Sequence, residues 1–133
     1  WWQPSAKEQI PYIPLVTTGW NKEPRKDNPV PWEVGHGYLN QTVFIPSANP
    51  DEIAQHLRRG LDFVRKNPQT CHAKAVIMYA WNEHDEGGWL APTWTPQGRP
   101  DTSRLDAIRS VLRPGSSNAK PPSAATAQAG PER

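Results

Sequence analysis

Apolar residues are spaced along the chain in two ways, and each spacing predicts a different kind of element. Residues 13–17 and 73–80 are short runs of adjacent apolar and β-branched residues, which is typical of buried strands. The second run is nearly continuous, which favours a parallel strand covered on both faces. Residues 50–66 and 102–112 place apolar side chains three or four positions apart, which predicts two amphipathic helices.

The first of these helices carries clear boundary signals. Asn49 is a good N-cap, Pro50 suits the first helical position, and Glu52 stands where a capping box needs an acid. Asn67 and a following proline end the helix. Its predicted apolar stripe consists of Ile53, Leu57, Leu61 and Val64.

The remaining segments show no hydrophobic period. Residues 19–48 and 81–101 are expected to be long loops, of the kind that often carries function. Residues 113–133 are rich in Ser, Ala and Pro, so we expect a disordered tail behind a folded part that spans residues 1–112. Residues 1–9 are expected to be irregular.

The predicted order is strand, long loop, helix, given twice. Two such units alone would leave strand edges and apolar faces exposed, so more strands are expected. The fold class that we expect is α/β, and the two units are expected to be the last two βα units of a (β/α)8 TIM-type barrel. An open doubly wound sheet is the alternative. The chain begins with Trp1, so we expect the N-terminal part of the same barrel to be missing. A signal peptide in that part would make the protein secreted, periplasmic or cell-surface.

Composition narrows the possible partners. The net charge is only +2, and no dense Lys/Arg run interleaves with aromatic residues, which argues against nucleic acid. No stretch is apolar enough to span a membrane. The single Cys71 excludes an internal disulfide and is expected to be a small buried residue rather than a reactive thiol. Seven tryptophans in a polar sequence favour a binding surface for a ligand with apolar faces.

Candidate chemistry lies where the two strands end. In a (β/α) barrel the active site is built from the loops at the carboxyl ends of the strands, which are residues 18–21 and 81–89 here. Glu83, Asp85 and Glu86 place three carboxyls in four residues, and glycoside hydrolysis requires two. Two glycines follow, so the backbone there can turn tightly or approach a ligand closely. A solvated acidic turn is the alternative explanation.

The acids are flanked by aromatic rings. Trp81, Trp89 and Trp94 can each present an indole face to the C–H face of a sugar, although one or more of them can equally serve packing alone. His84 stands beside two acids, but the histidines show no ligand spacing, so no metal and no other cofactor is expected. A metal-dependent hydrolase is therefore the weakest of the candidate functions.

Three short motifs resemble a known family. Thr-Thr-Gly-Trp at residues 17–20, Pro-Arg at residues 24–25 and Trp-Asn-Glu-His-Asp-Glu-Gly at residues 81–87 are similar to the C-terminal part of glycoside hydrolase family ninety-nine-like proteins. These proteins include the endo-α-mannosidases and the WbsX-like polysaccharide proteins. The resemblance covers about residues 10–112. His84, Ala91 and Asn21 depart from the usual motif, which bears on the substrate.

The resemblance implies a (β/α)8 barrel glycosidase and gives the two glutamates distinct roles. Glu83 is implied as the base that acts on the sugar's own 2-hydroxyl to give a 1,2-anhydro sugar, and Glu86 as the general acid/base. The expected function is thus cleavage of α-linked, mannose-type or related glycans, with a catalytically inactive glycan-binding barrel as the alternative. The residues expected to bind the carbohydrate are Trp20, Arg25, His36, Trp81, Asn82, His84 and Trp89.

Overall fold

A computed structural model describes residues 2–33, 44–113 and 115 of the chain. In chain order its elements are α1 (Trp2–Lys7), β1 (Leu15–Thr17), α2 (Glu23–Asp27), α3 (Pro50–Lys66), β2 (Ile77–Tyr79), β3 (Asn82–Glu83), β4 (Gly88–Trp89), β5 (Thr93–Trp94), β6 (Pro100–Asp101) and α4 (Ser103–Leu112). Two 3-10 helices lie at Pro31–Glu33 and His84–Glu86. The predicted tail, apart from residues 113 and 115, and the candidate residue His36 lie outside the described residues.

The centre of the fold is the unit β1–α3–β2. The two strands are parallel neighbours, with Leu15 opposite Ile77 and Thr17 opposite Tyr79. α3 lies against β1 and also against α4. The strands and the two long helices therefore stand close to where the hydrophobic pattern predicts them.

α3 begins as its sequence predicts. The Asn49 side chain accepts from the Glu52 backbone N–H, and the Glu52 carboxylate accepts from the Asn49 N–H, each at 2.9 Å. Ile53 and Leu57 are fully buried, whereas Leu61 and Val64 are only half-buried. The buried stripe instead continues through Gly60 and Phe63.

Gly60 shows why the helix can lie so close to the strands. A Cβ at this position would stand 3.0 Å from a methyl of Val16 and 3.3 Å from a methyl of Val76. The missing side chain lets both valines reach the helix backbone, which offsets the usual cost of about 1 kcal/mol for a mid-helix glycine. Val16 is the fully buried centre of this contact.

The other face of the same strands is open. Leu15 is 42% exposed, and its neighbours on β2, Ile77 and Tyr79, are 51% and 46% exposed. The expected cover on both faces is therefore present on one face only among the described residues. These residues form three two-stranded sheets and no closed barrel.

The outer edge of β1 is open as well. The Pro14 carbonyl accepts from Ile77 N–H at 2.9 Å, and the Thr18 N–H donates to the Tyr79 carbonyl at 2.8 Å. With the observed register, alternate residues point their backbone groups at β2, so those of Leu15 and Thr17 point the opposite way. No other described strand pairs with them.

Two segments expected to be irregular form short helices, so those expectations were wrong. α1 places the Trp2 ring 5.4 Å from the His56 ring and 5.6 Å from the Phe63 ring, so packing stabilises a helix that its sequence pattern does not indicate. α2 includes Pro24, which was expected to break a helix. This proline lies in the first turn, where a missing N–H costs nothing.

The segments around β2 also differ from expectation. β2 is shorter than the predicted run because residues 71–74 form a turn, in which Lys74 adopts a φ of 51° and its N–H donates to the Cys71 carbonyl. Residues 81–101, expected to be one long loop, form two small antiparallel pairs, β3 with β4 and β5 with β6. Each strand has two residues, too few for alternation to be visible in the sequence.

Candidate functional site

The loops that follow β1 and β2 leave the sheet at the same edge, because the two strands are parallel and in register. Thr18 fixes this junction. Its buried hydroxyl donates to the Tyr79 carbonyl at 3.2 Å and accepts from the Ala80 N–H at 3.3 Å. One side chain from the first loop therefore holds the start of the second. Sequence reasoning did not identify Thr18, because a threonine at a strand end is common.

The acidic segment forms a compact hairpin. β3 and β4 pair Asn82 with Trp89 and Glu83 with Gly88, and the 3-10 helix His84–Glu86 lies between them. Gly87 closes the turn in the left-handed region, at a φ of 66°. The tight turn that the two glycines predict is therefore present.

This hairpin is packed directly on the first loop. A Cβ on Gly87 would lie 2.6 Å from both the Asn21 Cβ and the Ser47 Oγ. A Cβ on Gly88 would lie 2.9 Å from the Gly19 carbonyl oxygen. The close approach that these glycines allow is thus to the protein's own loop, and it fixes the acids relative to Trp20.

Four side chains from the two loops form one polar group, called here the Arg25 cluster: Trp20, Arg25, Asp85 and Glu86. The Trp20 indole N–H donates to Glu86 Oε2 at 2.8 Å, and Arg25 Nη1 lies 2.5 Å from Glu86 Oε1. Arg25 Nη2 and Nε lie 2.9 and 3.1 Å from Asp85 Oδ2. Two predicted binding residues and one predicted catalytic residue are thereby brought together.

The cluster is partly shielded from water. The side chains of Arg25 and Glu86 are 16% and 12% exposed, whereas that of Asp85 is 48% exposed. Charge-assisted hydrogen bonds of this length are stronger than neutral ones. Glu86 is therefore held at both carboxylate oxygens by groups from the other loop.

Glu83 has different surroundings. It is half-buried at the end of β3 and occupies the N-cap position of the 3-10 helix, without a side-chain capping hydrogen bond. Among the described residues, no hydrogen bond or ion pair of its carboxylate is found, in contrast to Glu86. One 3-10 turn separates the two glutamates. The same hairpin therefore carries the hydrogen-bonded carboxylate of Glu86 and the carboxylate of Glu83, for which no such bond is found in the described part of the chain.

Trp89 lies in a second group of side chains. Arg104 of α4 stacks on its ring, with the guanidinium carbon 3.7 Å from the ring centroid, and donates to the Trp89 carbonyl at 2.8 Å. The His84 ring is tilted toward the same indole at 5.6 Å. Burial lowers the pKa of Arg104, an effect that Asp101 partly offsets. Arg104 was not identified from the sequence, because it lies on the polar face of an ordinary helix.

The other aromatic candidates are open to solvent. Trp81 and Trp94 are exposed, as is Asn82. Trp20 is 44% exposed, although the Lys22 ammonium stands 3.7 Å above its ring centroid. Trp20 therefore combines an N–H held by Glu86, a ring with a cation above it and a partly exposed surface.

Two grooves lie away from the Arg25 cluster. One of about 700 Å³ runs beside the open edge of β1 and is lined by Trp2, Gln3, Tyr12, Leu15, Thr17, His56 and Arg59. Another of about 430 Å³ lies at the end of α3, near Cys71. No residue of the Arg25 cluster lines either of these two grooves.

Two kinds of feature are not found in the part of the chain that the structure describes. No group of three or more His, Cys, Asp or Glu side chains is placed to hold a metal ion within residues 2–33 and 44–113. None of the described helices has the length and apolar character needed to cross a membrane. Comparison of the chain with family models, curated proteins and solved structures finds no match.

Proposed function

We propose that this chain carries part of the active site of a glycoside hydrolase that cleaves α-linked, mannose-type or related glycans. The observation that carries the proposal is the hydrogen bond from Trp20 to Glu86, which joins the loops after two parallel strands into one site. An aromatic ring beside paired carboxyls at the carboxyl ends of strands is the arrangement that a barrel glycosidase needs. The motif resemblance at residues 17–25 and 81–87 supports the same function.

In this proposal the two glutamates share the proton transfers. Glu83 takes the proton of the sugar's 2-hydroxyl, whose oxygen then attacks the anomeric carbon, while Glu86 gives a proton to the departing glycosidic oxygen. Water then opens the 1,2-anhydro sugar, Glu86 takes a proton from that water, and Glu83 returns its proton to the 2-oxygen. Both carboxylate oxygens of Glu86 accept hydrogen bonds in the structure, which supports this role because the group that would exchange these protons is held in place.

The fold that we propose for the active protein is a (β/α)8 barrel in which other strands cover the open face of β1 and β2. The exposed Leu15, Ile77 and Tyr79 support it, as does the outer edge of β1, where no described strand pairs and the contact found among the described residues is that of the Thr17 carbonyl with His56 Nδ1 at 3.3 Å. If those strands are required, the amides of residues 75–79 in the 133-residue chain by itself should be less protected from exchange than those of α3. Equal protection of β2 and α3 would argue against the proposal.

The catalytic roles are tested with Glu83→Gln and Glu86→Gln, using α-mannosides with good and poor leaving groups and the longest chain available from the gene. Loss of the general acid at Glu86 should slow poor leaving groups far more than good ones, whereas loss of the base at Glu83 should slow both. Glu8→Gln, at an exposed acid beyond α1, is the control. Undiminished turnover in both variants would exclude the assignment.

A glycan-binding module is the second candidate, and one observation favours it. Both carboxylate oxygens of Glu86 are engaged by protein groups, so the residue can serve to hold Trp20 and Arg25 in place for binding alone. In that case the two glutamine variants should bind α-manno-oligosaccharides with similar, mild losses, and the wild type should release no product.

A further inference from the structure

Asp85 contacts only one functional side chain of the cluster, and it does so from the side opposite Glu86. Its Oδ2 atom accepts from Nη2 and Nε of Arg25, while Nη1 of the same guanidinium reaches Glu86. A planar guanidinium bound along one edge has little freedom to rotate. Asp85 therefore holds one edge of the guanidinium from which Nη1 reaches Glu86.

The contact between Asp85 and Arg25 affects one of the two hydrogen bonds that hold the Glu86 carboxylate. Trp20 holds Oε2, and Arg25 holds Oε1. Arg25 is a long side chain on the short helix α2, and ordering such a side chain costs rotamer entropy. A second carboxylate on the same guanidinium offsets this cost, because Asp85 Oδ2 adds two charge-assisted hydrogen bonds to Arg25.

We infer that Asp85 is a positioning residue, which fixes Arg25 and, through Arg25, the orientation of the Glu86 carboxylate. This inference rests on the proposed function only in treating Glu86 as a working group. Asp85 itself is half exposed and touches neither Trp20 nor Glu86 through any hydrogen bond of the described residues. Its removal is therefore expected to disturb the site while the fold remains.

The experiment compares Asp85→Asn, which removes the charge at almost constant shape, with Asp85→Glu, which keeps it. The readouts are the ¹H–¹⁵N signals of the Trp20 indole N–H and the Arg25 Nε–H in the 133-residue chain, assigned with Trp20→Phe and Arg25→Lys. Asp85→Asn should displace both signals, and Asp85→Glu should return them toward the wild-type positions. Asp106→Asn is the matched control, because Asp106 is similarly exposed and also pairs with an arginine.

Two outcomes separate this inference from the proposed function. Unchanged Trp20 and Arg25 signals in Asp85→Asn would overturn the inference, whatever the chain does to glycans. Displaced signals in a protein that neither binds nor cleaves α-manno-oligosaccharides would support the positioning role and reject the glycosidase. If cleavage is observed, Asp85→Asn should lower kcat roughly 10-fold or more with little change in KM, the size expected for a partner that orients a functional group.

Discussion

The two faces of the β1–β2 sheet have similar composition and different surroundings. On one face Val16 meets the buried side of α3, where Ile53 and Leu57 are fully enclosed. On the other face Leu15 and Ile77 are just as apolar but about half exposed. The difference shows that residue type alone does not identify a core. An apolar side chain stabilises the fold only where another element removes it from water.

The largest expected effect comes from trimming each face in turn. Leu57→Ala should lower the free energy of unfolding by about 2–5 kcal/mol, because it leaves a cavity under α3. Leu15→Ala on the open face should change it by no more than about 0.5 kcal/mol. Urea unfolding followed by circular dichroism measures both. Equal losses in the two variants would mean that the open face is covered in solution.

The next effect is a loss of stability on replacing glycine by alanine, compared between a glycine in close contact with other atoms and one without such contacts. Gly87 and Gly98 have nearly equal positive φ values, 66° and 70°, but only Gly87 has atoms within 4 Å of its missing Cβ. Both alanine variants should carry the left-handed penalty of about 1–2 kcal/mol. Gly87→Ala should lose about 1–3 kcal/mol more, because its methyl group strikes Asn21 and Ser47.

Thermal unfolding of the two variants checks this difference. The Trp20 fluorescence of Gly87→Ala should also change, because the hairpin that carries Glu86 must move away from the first loop. If both variants lost the same stability, the close packing of the hairpin on residues 19–21 would be contradicted.

A smaller effect concerns the helix that covers the buried face. Asn49→Ala removes the side-chain half of the capping box and should cost about 1 kcal/mol. Thr102→Ala at the start of α4 should cost less, because the Thr102 hydroxyl donates to Asp106 rather than capping a backbone N–H. Denaturant titrations of both variants provide the test, and a greater loss at Thr102 would contradict the capping assignment.

The smallest effect is a pH dependence at Cys71, which is buried beyond the end of α3. Burial raises the pKa of this thiol, because the thiolate would be poorly solvated. The unfolded chain then releases the proton at a lower pH than the folded chain. The contribution of Cys71 to stability is therefore constant below the ordinary thiol pKa and is lost as the pH rises above it.

Urea unfolding of wild type and Cys71→Ala from pH 7 to pH 10 measures the contribution of the thiol to the free energy of unfolding. The stability difference between the two proteins should shrink toward high pH, since only the wild type has the thiol to ionise. A constant difference would show that the thiol is accessible to water in the folded state.

The sequence predicts those elements whose signals are local. α3 is predicted by its capping residues and by the spacing of Ile53 and Leu57, and β1 is predicted by its apolar run. Each of these signals lies within one short segment. α1 is not, because Trp2 is ordered by contacts with residues more than fifty positions away. β3 to β6 are not predicted, because strands of two residues are too short to show an alternation of apolar and polar side chains.

The candidate site also has features that the sequence predicts and features that it does not. The sequence indicates which residue types collect at the strand ends, and the resemblance singles out Glu83 and Glu86. It does not indicate that Arg25 reaches a carboxylate 61 positions later, because long-range pairing leaves no pattern in a single chain. For this reason Asp85 was predicted only as one of three neighbouring carboxyls, and Thr18 was not singled out, since the roles of both consist of such long-range pairs.

The separation of the paired strands also bears on the order in which the molecule folds. α3 is local and capped, so it can form early, whereas the contact between Thr18 and Ala80 closes a loop of 62 residues. Closing a loop of that size has an entropic cost that short-range contacts avoid. We therefore expect α3 to be structured in the folding transition state, and Trp20 and Glu86 to meet only after the strands have paired.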